Sequence, residues 1–178
     1  MGRWNLTSKQ VQEFKETEIG KIPVDWEVKE IQEILQEKGY IRGPFGSSLK
    51  RAELKSQGIP VYEQQHIIDN HRNFRFFIDD EKYQKMSRFT VKENDILISC
   101  SGTVGKVTTI KSDDPKGIIS QALLILRPNT KLTSTRFLEY FLRSKNGYNS
   151  ITSSSSGSVQ INLARREIIQ SITLIHPE

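Results

Sequence analysis

The feature that most constrains the fold is a succession of β-branched and aromatic segments that runs from residue 59 almost to the end of the chain. These residue types favour the pleated backbone of a strand, and the Gly, Pro, Asp and Ser between the segments favour turns. The predicted strands are Ile59–Tyr62, Phe74–Ile78, Asp95–Ser101, Val104–Ile110, Ile118–Arg127 and Ser171–His176. Ser101–Thr103 predicts a hairpin between two of them, and Asp113–Gly117 predicts a turn into the next.

Helical periodicity is confined to the two ends of the sequence. The predicted helices cover residues 8–18 as a weak helix or arm, Lys29–Glu37, Arg136–Asn146 and the segment from Asn162 to Ile169. Gly39 would terminate the second helix, Thr133–Thr135 would cap the third, and Asn162 would cap the fourth. The sequence therefore predicts an α+β fold that is β-rich, with a twisted mixed sheet or partial barrel as its core and helices at the N- and C-terminal ends.

The composition excludes several classes of protein. Hydrophobic residues make up 35% and charged residues 26% of the chain, which is enough apolar content for a core and too much for a disordered chain. The longest apolar run, Ala122–Leu126, is far shorter than the ~20 residues that span a bilayer, and no leader sequence opens the chain. A single cysteine, Cys100, and three histidines exclude an internal disulfide and a Cys-rich zinc site. We expect a soluble, reduced, cytoplasmic protein.

The net charge of +5 is distributed unevenly. Residues 1–40 hold six Lys/Arg and eight Asp/Glu, a balance of −2, and residues 41–178 hold the remaining 20 and 13, a balance of +7. A basic body behind an acidic N-terminal segment indicates a polyanionic partner. The same charge is also typical of a soluble basic protein without such a partner, so the charge indicates a nucleic-acid partner but does not establish it.

Three loops combine glycine with small hydroxyl residues: Gly43–Lys50, Ser99–Lys106 and Thr152–Asn162. Glycine lets a backbone approach a phosphate closely, and hydroxyl and N–H groups can donate hydrogen bonds to it. A fourth segment, Tyr62–His66, follows a predicted strand and contains two glutamines, which can read adenine through N6 and N7. Each loop alone could be an ordinary hairpin or solvated turn, but together on a basic body they favour a binding surface.

Three patterns resemble parts of catalytic sites, and each is incomplete. Ser47–Lys50 fits S-x-x-K without the S-D-N and K-T-G motifs of that chemistry, and Gly102–Lys106 lacks the spacing of a Walker loop. Glu53–Lys55 resembles the E-x-K of metal-dependent nucleases, but its nearest upstream aspartate, Asp25, is in an unsuitable context for holding a metal. Cys100 lies on a predicted strand and is expected to be buried and inert. The sequence predicts no catalytic and no metal-binding residues.

Five segments, in chain order, resemble the landmarks of the specificity subunits of type I restriction-modification systems. Thr17–Val28 is similar to the start of a target recognition domain in that family. The later landmarks are Gly43–Lys50, Asn94–Ser99 with Gly102–Gly105, Ser120–Ala122 with Arg127–Asn129, and Ser156–Leu163 with Ile168 and Ile172–Ile175. Each segment alone matches the family only loosely, but their common order from residue 17 to the end of the chain makes the resemblance specific.

The resemblance implies a non-catalytic DNA-binding module that takes no cofactor itself. Such subunits choose the target for modification subunits that methylate adenine with S-adenosylmethionine, and a separate motor-nuclease subunit cuts DNA. A complete subunit has two recognition domains, each followed by a long helix, and reads a split target. The implied partners are double-stranded DNA, the modification (methyltransferase) subunit, the restriction/translocase subunit through the complex, and in some arrangements a second specificity half.

The candidate DNA-binding residues fall into three groups by the chemistry of their side chains. The residues predicted near base edges are Tyr62, Gln64, Gln65 and His66. The basic residues predicted to contact phosphates are Lys50, Arg51, Arg72, Lys106, Arg165 and Arg166. The small or polar loop residues predicted at the rim of the groove are Ser47, Ser101, Thr103, Ser154, Ser155, Ser156, Gly157, Ser158, Gln160 and Asn162.

The sequence departs from the family pattern because it has one recognition domain and ends at residues 176–178, where the long helix would begin. We divide it into an N-terminal helical arm, residues 1–16, and a target recognition domain, residues 17–178. A piece of a longer subunit, a half-length subunit that pairs with another, and a truncated gene product all fit this pattern.

A protein-interaction or assembly module with little DNA specificity alone is the main alternative. It would dock a partner through the acidic N-terminal segment and through the apolar stripe Phe137, Leu138, Phe141 and Leu142. Core packing is the simpler role for that stripe, because an apolar stripe at helical spacing usually faces the protein interior.

Overall fold

The computed structural model describes residues 13–154 and 161–177 as a mixture of short strands and short helices. The strands are β1 (Phe14–Thr17), β2 (Gly20–Pro23), β3 (Trp26–Glu30), β4 (Leu35–Arg42), β5 (Ile59–Tyr62), β6 (Phe77–Ile78), β7 (Ile96–Ser99), β8 (Val107–Thr109), β9 (Ile118–Ile119), β10 (Leu123–Pro128), β11 (Thr152–Ser154), β12 (Ile161–Leu163) and β13 (Thr173–Pro177). The α-helices are α1 (Ile31–Ile34), α2 (Gln64–Ile68), α3 (Asp80–Lys85), α4 (Thr135–Arg143), α5 (Lys145–Ile151) and α6 (Arg166–Gln170). Short 3₁₀ turns cover Gly46–Ser48, Arg51–Glu53 and Ser87–Phe89.

The largest sheet has four antiparallel strands in the order β4-β10-β7-β8. The inner strand β10 is buried along its apolar run Leu123–Leu126, as expected for a strand covered on both faces. A three-stranded sheet, β6-β5-β9, adds one parallel pair, β5 with β9. The predicted α+β class with mixed sheets is confirmed, and the described strands form open sheets rather than a closed barrel.

Apolar side chains pack on both faces of the large sheet. On one face, Ile98 and Leu124 pack with α1, α4 and α6, and on the other, Leu97 and Ile125 pack with β5 and α2. This division follows from the period of two along a strand, which sends successive side chains to opposite faces. The two faces therefore bury nearly every apolar residue of the central strands.

The apolar stripe of α4 belongs to this core. Leu138 and Leu142 are buried, and Phe137 and Phe141 pack partly buried against the same cluster. The stripe is therefore occupied within the chain and offers no free docking surface for a partner, which removes one basis of the protein-interaction alternative.

Strand pairing brings the family landmarks together. The first and last landmarks form neighbouring antiparallel strands, because Val28 of β3 pairs with Ile175 of β13. The third and fourth are joined by an ion pair, in which Arg127 Nε donates to Asp95 Oδ1 at 2.7 Å. Segments that are far apart in sequence thus support one another in the fold.

The helices predicted near the N-terminus are largely wrong. Phe14–Thr17 is a strand that pairs with Gly20–Pro23, and residues 1–12 of the predicted arm lie outside the described residues. The helix predicted over Lys29–Glu37 is a single turn, α1, and Gly39 lies inside β4 instead of terminating a helix. Pairing of β3 with β13 and of β4 with β10 outweighs the weak helical spacing of this short segment. The predicted division between residues 16 and 17 stays a prediction.

Three predictions in the rest of the chain are also corrected. Asn162 does not cap a helix, because it lies in β12 opposite Ser153, and Arg165 is the N-cap residue of α6. The strand predicted over Phe74–Ile78 is reduced to β6, and the strand predicted over Ile118–Arg127 is two strands separated by a turn. Among the described residues, no helix is long and apolar enough to cross a bilayer.

Candidate nucleic-acid interface

Six strands begin or end at one edge of the fold, and their connecting segments gather there. The ends of β4 and β7 lie opposite the starts of β10 and β8 in the antiparallel sheet. The parallel strands β5 and β9 end at the same edge, since the Ser120 N–H donates to the Tyr62 carbonyl at 2.8 Å. We call this edge the loop edge, and it consists of residues 42–51, Glu63–His66, Cys100–Lys106 and Ser120–Ala122.

The segments of the loop edge touch one another. A Cβ added to Gly43 would overlap the carbonyl oxygen of Ser120. Only glycine therefore allows these two backbone segments to come so close. A Cβ added to Gly102 would lie 3.1 Å from Gln64 Nε2, which places that glutamine beside the Cys100–Lys106 loop. Two of the predicted glycine loops and the predicted glutamine segment therefore converge.

The third predicted loop begins beside the loop edge. A Cβ added to Gly105 would lie 3.1 Å from Thr152 Cγ2, so the β11-β12 hairpin starts next to the Cys100–Lys106 loop. Five of its predicted contact residues lie outside the described part of the chain: Ser155, Ser156, Gly157, Ser158 and Gln160. The side chains of Ser47, Ser154 and Asn162 also lie outside the description, and the DNA contacts of all eight stay predictions.

The loop edge holds three buried polar atoms that have no hydrogen-bond partner among the described residues. They are Arg42 Nη1 at the end of β4, Gln64 Oε1 at the start of α2 and Ser120 Oγ before β10. Buried polar groups in folded proteins are nearly always paired, and an unpaired one costs about 1–3 kcal/mol. All three atoms are themselves buried, and further buried unpaired atoms lie away from this edge at Thr133, Thr135 and His176, so these atoms alone do not mark a ligand site.

Positive charge at the loop edge is not neutralised within the described residues. Arg42, Lys50, Arg51 and Lys106 have no carboxylate within ion-pair distance there, and Ser101 and Thr103 are exposed beside them. Some basic residues away from the edge are paired, as Lys55 is with Asp79 at 2.6 Å and Lys82 with Glu53 at 2.8 Å. The edge therefore attracts anions, as a nucleic-acid surface requires.

Arg42 also lines a cleft of about 300 Å³ that opens from the loop edge. We call this cleft the arginine groove, and it is lined by Tyr40, Arg42, Arg88, Leu163, Ala164, Arg165 and Arg166. The Arg166 guanidinium stacks 5.1 Å from the centre of the Tyr40 ring, and its Nε donates to Gln170 Oε1 at 2.9 Å. Burial raises the pKa of Tyr40, and the cations of Arg42 and Arg166 oppose that rise. Arg165 and Arg166 thus join the candidate surface.

Two basic members of this groove, Arg42 and Arg88, are not among the residues predicted from the sequence. Arg42 follows Tyr40 by two residues on one strand and precedes a glycine loop, which is a signal that could have been read from the sequence. Arg88 lies in a short 3₁₀ turn far away in sequence, and only the fold brings it to Arg42.

Tyr62 and His66 are not placed to contact bases, because both side chains have 0% exposure. They pack around Phe74, at ring distances of 4.9 and 4.6 Å, and the Tyr62 hydroxyl donates to the Pro115 carbonyl at 2.7 Å. His66 Nδ1 accepts from the Glu63 N–H at 2.8 Å, and burial lowers the pKa of the ring, so it stays neutral. These two residues shape the core beneath the loop edge.

Arg72 is also corrected as a phosphate contact. Its guanidinium donates two hydrogen bonds to Asp114, at 2.6 and 3.0 Å. The Asp114 side chain is only 8% exposed. The hydrogen bond that Arg72 donates to Asp114 raises the pKa of the guanidinium above its ordinary value. Burial of Asp114 raises its pKa, but the hydrogen bonds from Arg72 and the Lys111 N–H outweigh this, and the net pKa is lowered. The charge of Arg72 is therefore already balanced by Asp114 within the fold.

Cys100 lies beside Arg42 and should be chemically inert in the folded chain. Burial raises the pKa of its thiol to about 12, although the Arg42 cation opposes the rise. At any neutral pH the thiolate fraction falls about a thousandfold relative to an exposed cysteine, and we expect 5,5′-dithiobis(2-nitrobenzoate) to react more slowly in that proportion. The same reagent in denaturant is the control, and equal rates in both conditions would contradict the burial.

No group of His, Cys, Asp and Glu that could hold a metal occurs in the described residues.

A family model for the type I restriction modification DNA specificity domain matches residues 23–178. A putative type I restriction enzyme specificity subunit, MjaX, from Methanocaldococcus jannaschii is 30% identical over 135 residues, covering 73% of this chain and 30% of that protein. The MjaIX specificity subunit of the same organism is 33% identical over 92 residues, covering 52% of this chain and 19% of that protein. The chain matches less than a third of the length of both relatives.

Solved structures show the same fold. The HsdS subunit from Thermoanaerobacter tengcongensis superposes with a TM-score of 0.64 over 92% of this chain and 36% of its own, at 17% identity. The S subunit of the type I system from M. genitalium superposes with a TM-score of 0.52 over 84% of this chain and 34% of its own, at 14% identity.

The chain belongs to the family of type I restriction-modification DNA specificity domains. That family supplies target specificity and not catalysis, which confirms the predicted non-catalytic module.

Proposed function

We propose that this chain recognises one half of a bipartite target in double-stranded DNA, with the loop edge facing the bases. The observation that carries the proposal is the convergence of the glycine loops, the Gln64 amide and unpaired cations at one edge of the fold. Phosphate contacts would position the duplex, and side chains of the loop edge would read the bases. Family membership supports the same role.

The rest of the assembly is proposed on the same basis. The chain would direct a modification subunit that methylates adenine with S-adenosylmethionine, and through the complex a restriction/translocase subunit. S-adenosylmethionine would bind the modification subunit and not this chain. A second specificity half would complete the target, and the assembly would act on DNA in the cytoplasm.

Selection from a random duplex pool tests the proposed function directly. We expect the chain, alone and with a modification subunit, to enrich a short motif of about three to five base pairs, because each specific base pair adds about 1–3 kcal/mol. Enrichment of no motif under either condition would overturn the proposal, even if the chain retained salt-sensitive affinity for all duplexes.

Gln64→Ala should reduce sequence preference. The Gln64 amide lies beside Gly102 at the loop edge, and a glutamine that reads adenine contributes about 1–3 kcal/mol, or roughly five- to 150-fold in affinity. We expect that loss on the selected motif and no change on scrambled DNA, measured by competition titration. Gln84→Ala on α3, an exposed glutamine away from the loop edge, is the matched control. Equal losses on both duplexes would reject a base-reading role for Gln64.

A further inference from the structure

We propose that the arginine groove is a binding site for backbone phosphates of DNA that lie beside the bases read at the loop edge. The inference rests on the proposed function and deepens it, because it assigns a task to residues that read no base. Its ligand chemistry is the phosphate oxygen, which the DNA backbone or free phosphate could supply, and the structure favours the backbone.

The position of the groove follows from strand geometry. Arg42 is the last residue of β4 and reaches the loop edge, while Tyr40, two residues earlier, projects from the same face of the strand. The groove therefore starts at the loop edge and continues along β4 away from it. A second cleft, of about 530 Å³, continues the first and shares Tyr40, Arg88 and Arg166 with it.

The charge of the two clefts is strongly one-sided. Seven basic residues line them, against the single acid Glu37: Lys38, Arg42, Arg88, Lys92, Arg127, Arg165 and Arg166. Within the described residues, carboxylates lie at ion-pair distance from only two of these, Arg127 with Asp95 and Lys38 with Glu37 at 3.9 Å. Several anions in a row fit this lining better than one, and a DNA strand supplies one about every 3.4 Å along its axis.

The guanidinium groups are held in place by contacts that leave their charge uncompensated. Arg42 stacks 5.6 Å from the Phe45 ring centre and Arg88 stacks 6.0 Å from that of Phe89, in addition to Arg166 over Tyr40. Arg42 also contacts the thiol of Cys100, whose pKa is raised by burial, so this neutral neighbour does not balance the cation. Phosphate oxygens would satisfy such preorganised donors in pairs.

The test is the double variant Arg88→Gln, Arg166→Gln in the full chain, with Arg136→Gln as the matched control. Arg136 is also exposed and also stacks on a tyrosine, Tyr140 at 5.4 Å, but lies on α4 outside the groove. Affinity is measured by fluorescence anisotropy over a salt series, on a scrambled duplex and on the selected motif. We expect equal losses on both duplexes and a slope of log affinity against log salt that is shallower by about two units.

An unchanged salt slope in the double variant, with a thermal midpoint equal to wild type, would overturn the inference. Duplexes with single neutral methylphosphonate linkages identify the source of the phosphate. Wild type should lose affinity at particular linkages beside the motif, and the double variant should show no further loss there. Saturable binding of inorganic phosphate that depends on Arg88 and Arg166, without any effect of the variant on DNA, would assign the groove to free phosphate and reject the proposal.

The two proposals fail in different ways. If selection recovers no motif while the double variant still flattens the salt slope, sequence recognition fails and the phosphate groove stands. If a motif is recovered and Gln64→Ala weakens it, but the double variant matches Arg136→Gln on all duplexes, recognition stands and the groove assignment fails.

Discussion

Asp95→Ala should lower the free energy of unfolding by about 3–5 kcal/mol, because it leaves a buried cation without its partner. The Asp95 side chain is fully buried and accepts hydrogen bonds from Arg127 Nε at 2.7 Å, Arg127 Nη2 at 2.8 Å and the Lys92 N–H at 2.7 Å. The Arg127 side chain is only 13% exposed, so water cannot take over the role of the carboxylate. Chemical denaturation followed by far-ultraviolet circular dichroism measures the loss.

Glu81→Ala is the control for this prediction, because Glu81 forms an exposed pair with Lys85 one helical turn away. Exposed pairs of this kind contribute about 0.3–0.5 kcal/mol, so the two substitutions should differ several-fold. The double variant Asp95→Leu, Arg127→Met removes both charges and should recover much of the loss. A cost for Asp95→Ala no larger than that of the control would show that the pair does not hold the fold.

The Asp95–Arg127 pair should also leave DNA specificity unchanged. Asp95 precedes β7 and Arg127 lies near the end of β10, which is the end of the sheet opposite the loop edge. At temperatures where Asp95→Ala remains folded, we expect the same selected motif as in wild type. The pair therefore serves the fold, although both of its residues lie in segments that resemble landmarks of the family.

Strand content was predictable from the sequence because it depends on local residue types. β5, β7 and β8 lie within predicted strands, and the Ser101–Thr103 hairpin lies between the two that it was predicted to join. The failure of the helix predicted over Lys29–Glu37 could not be foreseen, because the competing structure is a pairing of β3 with a strand more than a hundred residues away. Local propensity could not weigh that contact.

The candidate site was predictable in its loops and only partly in its side chains. Glycine and hydroxyl patterns located the segments of the loop edge, but residue type could not tell that Tyr62 and His66 close an aromatic cluster around Phe74. Neither could it tell which arginines are already paired, since Arg72 meets Asp114 across 42 residues, nor that Arg88 lines the same cleft as Arg42. Burial and pairing are properties of the fold, and they decide which polar residues remain available for a ligand.

Gly43→Ala should lower the free energy of unfolding by about 3 kcal/mol and also weaken DNA binding. The added methyl would overlap the Ser120 carbonyl, and both groups belong to backbone that cannot rotate away. Separating them strains the hydrogen bond from the Gly43 N–H to the Leu123 carbonyl, which is 2.9 Å long. Overpacking of this kind costs about 1–3 kcal/mol, and a lost hydrogen bond adds about 1 kcal/mol.

Gly46→Ala in the same loop isolates the contact from ordinary backbone strain. Gly46 has a φ of +61° but nothing within 4 Å of an added Cβ, so its substitution should cost only the left-handed penalty of about 1–2 kcal/mol. If the two variants are equally stable, the Gly43–Lys50 and Ser120–Ala122 segments do not touch as described, and the loop edge is not one surface.

The DNA-binding readout of Gly43→Ala separates geometry from charge. The substitution removes no cation, so the slope of log affinity against log salt should stay that of wild type. Affinity for the selected motif should nevertheless fall, because the added methyl would shift the Gly43–Lys50 loop relative to the Ser120–Ala122 segment. A fall that is accompanied by a shallower slope would mean that the loop acts by carrying phosphate contacts instead. A fall at constant slope would show that base recognition depends on the close approach of two backbones, which glycine alone permits.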